Sequence, residues 1–140
     1  MARGLLAVFC LSLTFVATFA FAQATVTRGG VTFGRTERLS GVYFTNFENS
    51  LFVRCDRNAG GCRDWTTSSD KYWLTCDPAA CADLERRIVA LNGSHDRWGL
   101  FAVDFEGRRS TSPNPSSGLH DPGRKVLVEQ IENFTLLETQ

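Results

Sequence analysis

Four cysteines, Cys55, Cys62, Cys76 and Cys81, are the most reactive side chains beyond the first two dozen residues, and their spacing limits what they can do. A C-x6-C followed by a C-x4-C lacks the paired C-x2-C of zinc sites, and no histidine lies close by in sequence. No C-x-x-C is present to support thiol exchange. Cross-linking is the chemistry that remains: an even number of cysteines in a small exported chain implies two disulfides. Cys55 with Cys62, and Cys76 with Cys81 across the turn Asp77-Pro78-Ala79-Ala80, is the favoured pairing. Cys55 with Cys81 and Cys62 with Cys76 is its close rival.

The two histidines, His95 and His120, are the next candidates. Ser94-His95-Asp96 holds the residue types of a hydrolytic triad, but adjacent side chains rarely converge as triads do, and the preceding Asn92-Gly93 marks a turn. His120-Asp121 joined to His95 would still lack a third metal ligand. No Gly-x-Ser-x-Gly, His-Glu-x-x-His or phosphate loop occurs. Asp104 and Glu106 would share one face of a strand, where an exposed polar edge is expected. The sequence therefore assigns no catalytic residue, no cofactor and no metal.

Recognition is better supplied. Trp73 and Trp98 sit in apolar runs that predict core packing, as do Tyr43 and Tyr72, whereas Trp65 stands in a polar loop. The Ser- and Pro-rich stretch from Arg109 to Arg124 has no core periodicity and reads as one long loop. Trp65, Arg109, His120 and Arg124 are the expected ligand contacts. Asn92-Gly93-Ser94 and Asn133-Phe134-Thr135 match the glycosylation sequon, and Asn114-Pro115-Ser116 is excluded by its proline.

These residues need elements to hold them. Leu39 to Cys55 is β-rich and interrupted by turn residues at Asn46 to Ser50, which predicts a hairpin or a bulged strand. Tyr72 to Cys76 and Trp98 to Phe105 are further strands, and Val126 to Leu136 is the clearest. Asp77-Pro78 starts a short helix expected to run to about Arg86, with Ile88-Val89-Ala90-Leu91 leaning to a strand before Asn92-Gly93. Ala24 to Thr27 reads as a loose first strand broken at Arg28-Gly29-Gly30 or, equally, as a disordered arm. The fold class is mainly β: a small OB-like antiparallel barrel or curved sheet with one short helix.

Arg3, the apolar run from Leu5 to Phe19 and Ala20-Phe21-Ala22 read as a secretory signal peptide, with a preferred cut before Gln23 and a second before Thr25. The chain then divides into 1–22 signal peptide, 23–38 N-terminal arm and 39–140 barrel-like domain. Cys10 lies inside the apolar run behind Val8-Phe9 and not behind the small residues a lipid-anchoring site requires, so no lipid anchor is expected there. The sequence of 140 residues has 15 basic and 15 acidic side chains, and loss of Arg3 leaves the mature chain slightly acidic. Neither a nucleic-acid partner nor stable membrane insertion after cleavage is expected.

Gly41-x-Tyr43-x4-Glu48-x3-Phe52-x2-Cys55 resembles the opening strand of the small oligonucleotide/oligosaccharide-binding-like barrel of the copper-stress outer-membrane lipoprotein family and related exported single-domain proteins. Val89-x-Leu91-x-Gly93 and Val126-Leu127-Val128-Glu129-x-Ile131 look like its middle and last strands. The resemblance implies a fold and an envelope location. The chain differs in its two extra cysteines, its long Ser/Pro loop and the lack of a lipid-anchoring cysteine. The expected function is that of a secreted or periplasmic non-catalytic binding module for an unidentified envelope protein or glycan. The alternatives are a disulfide-stapled inhibitor of an envelope or extracellular hydrolase, and a small hydrolase.

Overall fold

The computed structural model describes residues 24–46, 48–57, 61–113 and 122–139. The signal peptide expected over residues 1–22 lies outside the described residues, as does His120. Five strands close into a barrel: β3 (Glu37–Thr45), β4 (Ser50–Arg54), β5 (Lys71–Cys76), β6 (Gly99–Arg109) and β7 (Lys125–Thr139), in the order β3-β4-β5-β7-β6. Helix α1 (Pro78–Asn92) connects β5 to β6. The barrel is mainly β and OB-like, as expected, but not wholly antiparallel: β5 runs parallel to β7 through Trp73–Lys125 to Cys76–Val128. A helical crossover between β5 and the later strands is what permits that parallel pair.

Alternation in the strands sends one set of side chains inward. Leu39, Phe52, Phe101, Phe105, Val126 and Val128 fill the barrel, and α1 closes it with Ala80, Leu84 and Ile88. The outer face is also covered. Val42, Val53 and Leu100 point outward under Phe44, Trp65, Trp98 and the Cys55–Cys62 bridge. This explains why β6 is buried on both faces from Gly99 to Phe105. Tight curvature demands close backbone approach: a Cβ on Gly41 would lie 2.1 Å from the Val53 carbonyl oxygen, and one on Gly107 2.4 Å from that of Leu127.

Three expectations need correction. The helix is fifteen residues long and continues through the segment read as a strand. Ala80, Leu84, Ile88 and Asn92 form its buried stripe, while Val89 and Leu91 are 42% and 43% exposed. Asn92-Gly93 ends a helix instead of turning a hairpin, with Gly93 left-handed at φ 77° and its N–H bonded to the Val89 carbonyl. Thus Val89-x-Leu91-x-Gly93 is not a barrel strand.

The second concerns the arm over residues 23–38: its expected first strand is present, ending at the break over Gly29-Gly30, but it is paired and not loose. Strands β1 (Val26–Arg28) and β2 (Val31–Phe33) form a hairpin over Gly29-Gly30, both with positive φ. Val31 and Phe33 are buried against Leu127, so the arm is docked on the barrel, and β3 already begins at Glu37. The third concerns Asp104, which is only 7% exposed while Glu106 is exposed. Register shifts on either side of Phe105 and Glu106 accompany the break in the shared polar edge that strict alternation predicts.

Candidate functional site

Strands β3, β5, β6 and β7 all bring one end to the same rim of the barrel. There Gly34, Arg35, Glu37, Tyr72, Arg109, Ser110 and Arg124 surround a polar hollow of ≈ 390 Å³. Two of the four expected contacts, Arg109 and Arg124, therefore meet. Arg109 ends β6 and donates from Nε and Nη2 to the two carboxylate oxygens of Glu37 at 2.6 and 3.0 Å. That bidentate pair, with a further hydrogen bond to Tyr72, raises the Arg109 pKa above its already high ordinary value, so the guanidinium is always charged.

The Arg124 guanidinium sits over the Tyr72 ring, its Cζ 4.6 Å from the centroid. It donates to the Ser69 carbonyl and, more weakly, to Asp70 at 3.4 Å. Tyr72 itself is buried and donates its hydroxyl to Asp70 at 2.9 Å. The other wall is held by backbone: the Gly34 N–H bonds the Arg109 carbonyl at 2.9 Å, and Arg108 Nη1 bonds the Gly34 carbonyl at 3.0 Å. Arg35 follows Gly34, is exposed, and has no hydrogen-bond or ion-pair partner among the described residues. Sequence reasoning missed it. The signal available was its place directly after the Val31-Thr32-Phe33 alternation, where a strand delivers its next side chain to a rim.

Trp65 is not part of this hollow. Its ring stacks on Phe44 at 5.2 Å, within the outer cluster that also holds Trp98, so it is half-buried packing and not a free platform. The loop that carries it still reaches the site farther along, through Ser69 and Asp70. Of the expected loop from Arg109 to Arg124, the first residues belong to structure: Ser110 bridges to Phe33, and the Thr111 N–H bonds the Thr32 carbonyl.

A second cleft of ≈ 470 Å³ lies where α1 meets the β3–β4 turn, lined by Trp73, Leu84 and Ile88 with Glu48, Glu85, His95 and Asp96 at its polar side. His95 contacts Asp96 at 3.1 Å with both side chains more than half exposed. The Ser94 hydroxyl oxygen instead accepts the Asp96 N–H at 3.2 Å. No serine–histidine hydrogen bond forms, so the three residues make a solvated turn without the nucleophile–base contact hydrolysis needs. Among the described residues no group of three or more His, Cys, Asp or Glu is placed to hold a metal ion.

The cysteines pair as Cys55–Cys62 and Cys76–Cys81. Both bridges are compatible with an oxidising extracellular compartment, and no described helix is long and apolar enough to cross a membrane. The chain matches no protein family, no curated protein and no solved structure.

Proposed function

We propose that the chain is an exported, non-catalytic binding module that engages an envelope ligand at the Arg109–Arg124 rim of its barrel. The observation that carries this reading is the convergence of Arg109, Arg124 and Tyr72, from three different strands or their ends, on one hollow that a rigid barrel holds open. The export signal and the two disulfides support an envelope or extracellular setting. The solvated Ser94-His95-Asp96 turn removes the best catalytic candidate of the sequence and so favours binding over hydrolysis.

Retention of envelope components on the immobilised mature protein tests the proposal. Arg124→Ala removes the cation over Tyr72 and is expected to abolish retention while near-ultraviolet circular dichroism stays unchanged. Retention that survives this substitution would place the binding surface elsewhere. Turnover of an envelope substrate that depends on His95 would overturn the non-catalytic reading.

A further inference from the structure

We infer that the group recognised at this rim is an oxyanion, a carboxylate or phosphate carried on the ligand, and that Arg35 is the side chain that grasps it. The inference rests on the proposed binding role of the rim and adds the chemistry of the ligand to it.

The donors and acceptors around the hollow are unequally engaged. Glu37 accepts from Arg109 on both oxygens, and Asp70 accepts from Tyr72 and Arg124. Both bonds to Asp70 fall on its Oδ1, and Asp70 stands behind Tyr72 and Arg124 outside the lining, so the one carboxylate that lines the hollow, Glu37, is engaged on both oxygens. The donors are in a different position. Arg35 lines the hollow with its whole guanidinium fork unengaged among the described residues. Ser110 Oγ accepts the Lys125 N–H at 3.1 Å, which leaves its hydroxyl hydrogen to donate. Three guanidiniums face two carboxylates around the space, so one positive charge stands uncompensated.

A hollow with engaged acceptors, open donors and surplus positive charge suits a group that only accepts. Carboxylate and phosphate do so, and both match the planar fork of arginine. A neutral hydroxyl ligand would gain little from Arg35 and would find few acceptors for its own protons. Other arginines show what the fold does when a guanidinium is structural: Arg38 pairs with Glu132, Arg57 with Asp104 and Arg108 with Glu129. Arg35 lines a cavity and has no such partner. Gly34, pinned on both its N–H and its carbonyl, fixes the backbone from which Arg35 projects.

Titration of the mature protein with inorganic phosphate, glucuronate and glucose, followed by amide chemical shifts, tests the inference. Saturable shifts at Arg35 and Ser110 with phosphate or glucuronate, and none with glucose, are expected. Arg35→Ala should weaken that binding at least tenfold, whereas Arg35→Lys should restore part of it. Binding should not vary between pH 6 and 8 for glucuronate, since arginine does not titrate there. Response to phosphate alone points to a phosphorylated polymer, and response to glucuronate alone to an acidic glycan. Failure of both anions, equal binding by glucose, or binding unchanged in Arg35→Ala would overturn the inference. Retention of an envelope component that requires Arg124 but is not competed by either anion would overturn it while leaving the binding role intact.

Discussion

Arg57 donates to Asp104 at 2.5 Å from inside the ring closed by the Cys55–Cys62 disulfide, so a covalent loop delivers a cation to a buried carboxylate of β6. Burial pushes the Asp104 pKa up, but hydrogen bonds from Ser40, Asn133 and Arg57 together outweigh it and hold the carboxyl below its ordinary range. A depressed folded-state pKa contributes stability above the unfolded value, and that stability is lost as pH falls through the folded one. Arg57→Ala should lower stability by about 1–2 kcal/mol at pH 7. Its deficit relative to the parent should shrink below pH ~3.9 as Asp104 protonates. Urea unfolding at pH 7, 5 and 3 measures this, and a deficit constant across that range would mean that the pair does not act through charge.

Each disulfide joins residues close in sequence, with separations of 7 and 5, so each removes limited freedom from the unfolded chain. Loss of either bridge should cost about 2 kcal/mol, and neither ties one barrel strand to another far along the chain. Reduction should therefore leave a β-type circular dichroism spectrum with a lower unfolding midpoint. Cys55→Ser with Cys62→Ser should cost more than the Cys76 and Cys81 pair, because the first bridge also packs on Val42, Val53 and Leu100 and positions Arg57. Alkylation of the unreduced native protein that labels any of the four thiols would contradict the pairing.

Asn92 should remain unmodified in a host that glycosylates its sequon. Its Nδ2 lies buried and donates toward the carbonyls of Ser94, Arg97 and Trp98, while its Oδ1 accepts from the Thr139 hydroxyl. Asn92→Ala should destabilise by about 1–3 kcal/mol, because carbonyls at the start of β6 lose their donor. Peptide mapping of glycosylated material reads the first outcome directly. Sugar found at Asn92 in folded protein would be incompatible with this packing.

Gly41→Ala and Gly107→Ala should both destabilise severely, by about 3 kcal/mol or more, since each new methyl would meet a backbone carbonyl oxygen on the adjacent strand. Gly99→Ala should cost less. Its nearest neighbour is the Phe101 ring edge at 2.6 Å, which is packed in the barrel yet can tilt by a small torsion change where a backbone carbonyl cannot. Thermal unfolding of the three variants ranks them, and equal losses would argue against strand approach as the cause.

The barrel strands were legible because alternation and β-branched or aromatic runs survive even where a second layer covers the outer face, as at Leu39 to Thr45 and Val126 to Ile131. The second half of α1 was not. Ile88-Val89-Ala90-Leu91 is as apolar as a strand, and only the barrel shows that Ile88 alone of these four is buried while two large apolar neighbours face outward. Asp104 misled for a related reason: the register shifts that bury it against Arg57 and Asn133 leave no trace in local composition. At the rim, Arg109 and Arg124 were found from the loop they flank. Glu37 was not, because its place there depends on β3 pairing with β6, and Arg35 was not, because it is set by the Phe33–Ser110 bridge and the Gly34–Arg109 bond, contacts between segments far apart in sequence.

The strand order has a kinetic consequence. Barrel closure requires β6 to reach back to β3 and β7 to reach back to β5, so the two pairings that seal the sheet involve the last-made barrel strands. At synthesis rates of about 5–20 residues per second, the earlier hairpin of β3 and β4 waits several seconds for its partners. Through that interval the chain has no closed core to unfold. A core completed only by β6 and β7 leaves the nascent chain unclosed until synthesis is nearly finished, which suits the export proposed above.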